Sequence, residues 1–171
     1  GIGGTSSESI KSVVETNDGG YVVVGGFESN SIVLGNGISL SNNGSSDGMI
    51  IKYNANGEAE WAHGIGGTSS DCIGSLSTTS DGGYIIGGFF LSNNINLENG
   101  VSLTNEGNYD GMLIKYDLEG KVEWAQKVGG KLDDRIESVS ETSDGGYIVG
   151  GFFETNTIEL NNGVNLTNSS D

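Results

Sequence analysis

An all-β fold is predicted by three observations. A turn-and-strand phrase, Thr79-Ser80-Asp81-Gly82-Gly83-Tyr84-Ile85-Ile86-Gly87-Gly88-Phe89-Phe90, recurs upstream at 16–27 and downstream at 142–153. Its landmarks keep one spacing: Asp18, Asp81 and Asp144 stand 63 residues apart, as do Trp61 and Trp124, and Ile2, Ile65 and Val128. Apolar runs are short and bounded by Gly, Asn, Asp and Ser, with no stripe of helical period. A fixed period of this kind marks repeated supersecondary structure rather than low complexity.

Each unit contains four strand-like segments. The first, at 10–16, 73–79 and 136–142, is short and rich in Ser and Thr, as suits an element crowded near an axis. The second follows the Asp-Gly-Gly turn, whose glycines permit the positive φ of a tight hairpin. It is aromatic and β-branched without polar alternation, so burial on both faces is expected. The third covers 48–53 and 111–116, and the fourth 58–63 and 121–126. Asn56-Gly57 and Glu119-Gly120 turn between these two, and partial alternation around Trp61 marks the fourth as a half-exposed edge. Four antiparallel strands per repeat predict β-propeller blades. A blade needs about 40–50 residues, and the surplus lies between the second and third strands. There 31–40, 94–103 and 157–166 each read as an added hairpin about an Asn-Gly.

The expected organisation is one repeat array over 1–171, with units at 1–63, 64–126 and an incomplete 127–171. That is about 2.7 repeats, read as a segment of a longer propeller. A solenoid also buries strands on both faces, but it needs parallel coils, whereas the turns here call for antiparallel neighbours.

Charge and composition bound function. The 23 acidic and 7 basic residues leave a net charge of −16, a field that repels nucleic acid and anionic membrane surfaces. Cys72 is the single cysteine, so no internal disulfide exists to indicate a compartment. One histidine, one cysteine and no arguable Ser/His/Asp grouping leave an enzyme with little support.

Asp110-Gly111-Met112-Leu113-Ile114-Lys115-Tyr116, then Gly120, Trp124-Ala125, Val128-Gly129-Gly130 and Asp133-Asp134, resemble the SBBP ("seven-bladed β-propeller") repeat. The Gly-Gly doublet with later Tyr and Trp is more weakly kelch-like. The resemblance implies a bacterial secreted or cell-surface protein, hence an extracellular location. It says little of activity, because propellers host unrelated functions.

In a four-stranded blade, the loops between second and third strands share a face with the loops that join units. A ligand, glycan or protein, is therefore expected there, with Thr68, Ser69, Ser70, Asp71, Tyr109 and Asp110 as candidate contacts. The same face gathers Glu8, Asp71 and Asp134, oxygen donors suited to Ca²⁺. Turn capping is the weightier role for these acids, since no Asp-x-Asp-x-Asp-Gly run occurs. Asp18, Asp81 and Asp144 read as turn formers on the opposite face, and the repeated Trp and Tyr as packing between units. His63 reads as a neutral edge residue. The readings that remain are a binding or adhesion propeller, a purely architectural element and, distantly, a non-catalytic part of a secreted enzyme.

Overall fold

A computed structural model describes residues 1–159 and 165–168. The chain is all-β and its sheets are antiparallel. The first unit comprises β1 (Glu8–Glu15), β2 (Tyr21–Phe27), β3 (Ser31–Gly35), β4 (Ile38–Ser41), β5 (Asp47–Tyr53) and β6 (Ala59–Ile65). The second comprises β7 (Asp71–Thr78), β8 (Tyr84–Phe90), β9 (Asn94–Asn96), β10 (Ser102–Thr104), β11 (Asp110–Tyr116) and β12 (Val122–Val128). The third shows β13 (Asp134–Glu141), β14 (Tyr147–Phe153), β15 (Thr157–Glu159) and β16 (Asn165–Thr167). The turn of the third added hairpin and Asp171, where a further strand is expected to begin, lie outside the described residues.

Two four-stranded sheets form, ordered β1-β2-β5-β6 and β7-β8-β11-β12. Every corresponding strand of these two sheets starts 63 residues after its predecessor. The hairpins β3-β4, β9-β10 and β15-β16 stand apart as two-stranded ribbons. Besides its β15-β16 ribbon, the third unit shows β13 paired with β14 among the described residues. The parallel pairing of successive second strands that a solenoid demands does not occur among the described residues; one isolated parallel bridge joins Ser46 to Ser70.

Positive φ sits where the turns need it, at Gly19, Gly82 and Gly145 and again at Gly57 and Gly120. Each inner pair carries one register shift, between Ile10 and Ser12, Ile73 and Ser75, and Ile136 and Ser138. The bulge drives an inner-strand carbonyl toward the glycine opposite, so Gly25, Gly88 and Gly151 sit where a side chain would overlap it.

The core lies between sheets. Val22, Val24, Ile50 and Ile65 of the first unit pack with Ile73, Leu76, Tyr84, Ile86, Met112 and Ile114 of the second. Ile85 and Leu113 then pack with Ile136 and Val139 of the third. Burial of the second strand on both faces holds for β2 and β8. It fails for β14, where Ile148 is 63% exposed against 0% for its counterpart Ile85. Ile136 and Val139 of the following unit cover Ile85, and among the described residues nothing covers Ile148 in that way. Among the described residues no helix is long and apolar enough to cross a membrane.

Candidate functional site

The face that carries the unit-joining loops is organised by one buried carboxylate per junction. Asp71, at the start of β7, accepts hydrogen bonds from the N–H groups of Gly67 (2.9 Å), Leu91 (3.0 Å) and Ser92 (3.1 Å) and from Ser92 Oγ (2.6 Å). Asp134 repeats this with Gly130, Glu154 and Thr155. Glu8 is the looser first version, held by Gly4 N–H and Ser29 Oγ. Loop N–H groups that leave water need an acceptor, and an ionised carboxylate is a strong one. The backbone then ties successive units: Asp71 N–H donates to Ser46 O and Asp134 N–H to Tyr109 O, both at 2.7 Å.

Beside each staple lies a second buried acid. Asp47 is 1% exposed; its Oδ2 accepts the Asn43 N–H at 2.9 Å, and its Oδ1 has no protein partner. Burial, opposed by the Asn43 N–H and reinforced by the Asp71 charge, pushes the Asp47 carboxyl up to about 6. Asp110 is likewise raised by burial, with Lys127 at 3.7 Å as a partial counter-charge. A carboxyl titrating higher in the folded chain than in the unfolded one (about 3.9) contributes stability that is full below pH 4. That contribution is lost as pH rises through 6. Asp47→Asn is therefore expected to stabilise the chain by about 1–2 kcal/mol at pH 7.5, with the gain vanishing near pH 4. Urea unfolding at the two pH values checks this; an equal effect at both would contradict it.

Between these frames the loop face opens two clefts at homologous places. The first, about 500 Å³, is lined by Asn43, Gly66, Gly67, Thr68, Asn93, Asn94 and Asn96. The second, about 530 Å³, is lined by Glu106, Gly129, Gly130, Lys131, Asn156, Thr157 and Glu159, together with Lys127, Leu132 and Thr155. The glycines persist and Asn93 is matched by Asn156, while Asn43, Thr68 and Asn96 give way to the charged Glu106, Lys131 and Glu159 and Asn94 to Thr157. Lys127 and Glu106 pair at 3.0 Å across the second cleft.

The sequence-derived ligand residues divide accordingly. Thr68 is exposed on the first cleft. Ser69 donates its N–H to Ser92 Oγ and Ser70 Oγ meets Ser45 Oγ at 2.7 Å, so both belong to the junction. Asp71 and Asp110 are buried there. Tyr109, expected as an exposed aromatic, is half-buried instead. The Arg135 guanidinium lies 4.4 Å from its ring centre and 4.5 Å from that of Phe89, and the two rings meet edge-on. Stacking of this kind withdraws both aromatic faces from a ligand. Glu8, Asp71 and Asp134 do not converge. Each serves its own unit, and among the described residues no group of three or more His, Cys, Asp or Glu suited to a metal forms. The exposed Asn43, Asn93, Asn94 and Asn96 were not singled out from sequence, being scattered between two loops that only the fold brings together.

The opposite face holds a feature that sequence reasoning missed. Lys52 is 2% exposed within the apolar β5, and its ammonium reaches Asp18 (2.9 Å), Glu60 (3.0 Å) and the Tyr53 carbonyl (3.0 Å). Lys115 repeats the latch with Asp81, Glu123 and the Tyr116 carbonyl. Asp18 is thus more than a turn former. The Thr16 hydroxyl, Lys52 and the Gly20 N–H hold its carboxyl well below the usual range. Burial alone would depress the Lys52 ammonium, but its two acidic partners outweigh that and raise it. The detectable signal was a lysine at one fixed place in two otherwise apolar strands. Trp61 and Trp124 pack between units, against Tyr84 and Tyr147. His63 stacks on Tyr116 and places Nδ1 3.3 Å from the Glu98 carboxylate.

No family model matches the chain. A stretch of 110 residues is 26% identical to part of the Regulatory protein FlaEY of Caulobacter vibrioides, taking in 63% of this chain and 12% of that protein. The likeness is to a small part of a much longer protein.

Proposed function

We propose that the units are β-propeller blades of SBBP type and that the chain is a non-enzymatic binding or adhesion segment acting outside the cell. It recognises a glycan or protein through the clefts of the loop face. One observation supports this above others: an invariant frame of glycines and buried carboxylates carries two clefts whose exposed linings differ. The carboxamides of the first cleft offer paired donors and acceptors without charge, which suits hydroxyl-rich sugars or an extended peptide backbone. The purely architectural reading draws on Ser69, Ser70, Asp71 and Asp110, which all serve the junction.

A glycan array separates the two. We expect binding to neutral glycans that falls at least tenfold in an Asn93→Ala/Asn96→Ala variant, because both side chains are exposed. The melting temperature should stay unchanged. An array that stays blank, or binding indifferent to that variant, would leave the architectural reading in its place.

A further inference from the structure

The face that carries the Asp-Gly-Gly turns holds a cleft of its own, on the side of the molecule opposite the loop clefts. We infer that this cleft, between the first and second units, binds primary ammonium groups carried on a flexible chain, as in a linear polyamine or the lysines of a peptide. The inference is independent of the ligand reading given for the loop face.

The cleft encloses about 970 Å³ between the 16–18 turn of the first unit and the 79–82 turn of the second. Five carboxylates line it, those of Glu15, Asp18, Glu60, Asp81 and Glu141. Lys52 and Lys115 offset two of them, Lys52 between Asp18 and Glu60 and Lys115 at Asp81. Glu141 instead accepts the Ser80 N–H at 2.6 Å and the Ser80 hydroxyl at 3.1 Å. Among the described residues no lysine or arginine pairs with Glu141 or Glu15. Negative charge set in a protein-walled cleft concentrates cations there.

Acids alone would make only a solvated rim, and the deciding observation lies on the floor. Tyr84 lines the cleft yet is 1% exposed, and its hydroxyl has no partner in the protein. Burial keeps the proton on that oxygen, and the charges of Lys52, Asp18 and Glu60 act on it. It is thus a neutral hydroxyl with idle lone pairs beside the Lys52 latch. A buried polar atom without a partner is costly, and a ligand that donates to it recovers that cost. An ammonium carries three donors and no acceptor, so it suits the hydroxyl oxygen and the carboxylates together.

Two features select a chain-borne ammonium over a bare metal ion. The acids come from three units, and among the described residues no group of three or more His, Cys, Asp or Glu suited to a metal forms. The half-buried Trp61 and the 54% exposed Leu118 also line the cleft. An indole face attracts an ammonium, and apolar surface accepts the methylenes between one ammonium and the next.

Isothermal titration calorimetry of the 171-residue chain at low ionic strength tests this with two probes, spermidine and a short peptide of alternating lysine and glycine with blocked ends. Saturable binding is expected for at least one; binding of one and not the other sustains the inference and names the source of the ammonium. A Glu15→Gln/Glu141→Gln variant should bind at least fivefold more weakly. Glu28→Gln/Glu154→Gln removes the same charge from two exposed acids outside the cleft and should bind as the parent chain does. Tyr84→Phe should weaken binding at least threefold while the melting temperature holds or rises, since an unpartnered buried hydroxyl contributes nothing to the fold. No saturable binding to either probe, or equal weakening by the two double variants, overturns the inference. A Tyr84→Phe chain that binds as well as the parent overturns it too.

Discussion

Asp71→Ala is expected to be the most damaging single substitution on the loop face, costing about 3–5 kcal/mol in urea unfolding. Its carboxylate is 1% exposed and accepts three backbone N–H groups and one hydroxyl from two separate loops. Alanine leaves the Gly67 N–H, the Ser92 N–H and the Ser92 hydroxyl without this acceptor, while the Leu91 N–H keeps the Ser70 carbonyl at 3.0 Å. Asp71→Asn should recover part of the loss, since one oxygen can still serve Leu91 and Ser92 while the amide nitrogen faces the Gly67 N–H. Glu8→Ala makes the internal control. Its position carries two such bonds in a more exposed setting, so a smaller loss is expected. A cost below about 1 kcal/mol for Asp71→Ala would mean that the loops hold their shape without the staple.

Gly88→Ala is expected to cost about 3 kcal/mol or more, the upper end for overpacking. The added methyl would overlap the Cys72 carbonyl oxygen and press on the Cys72 carbonyl carbon and Ile73 Cα. All three are backbone atoms of a paired strand, so nothing flexible can yield. Gly74→Ala, in the facing strand, meets nothing within 4 Å and should be neutral or slightly stabilising, because alanine narrows the unfolded ensemble. Thermal melts of the pair decide the matter, and similar values for the two would refute a close-approach role for Gly88.

The elements were legible in sequence because they follow from local rules. Asp-Gly-Gly and Asn-Gly fix turns, β-branched runs fix strands, and the 63-residue spacing fixes which strands correspond. The four-stranded order and the inserted hairpin followed from these. The site was less legible, because its decisive contacts join residues far apart in the chain. Lys52 meets Asp18 across 34 residues and reads locally as a polar break in an apolar strand. Asp71 and Asp134 were placed on the right face, but their donors come from loops on both sides of a sheet. The acids therefore looked available for a cation when neighbouring N–H groups already occupy them. Tyr109 was read as free because nothing nearby in sequence announces Arg135.

The packing between units has a directional consequence. Ile73 and Leu76 of one inner strand, and Ile136 and Val139 of the next, bury against the sheet that precedes them. Their counterparts Ile10 and Val13 are 47% and 59% exposed. The inner-strand face that carries Ile10 and Val13 and the opposite sheet face that carries Ile148 are thus different surfaces, of the two kinds that meet at each junction inside the array. Contacts made with them are heterologous, never a two-fold pairing of like with like. Successive units therefore stack in one sense only, and the rotation accumulated per step decides between a closed ring and an open superhelix.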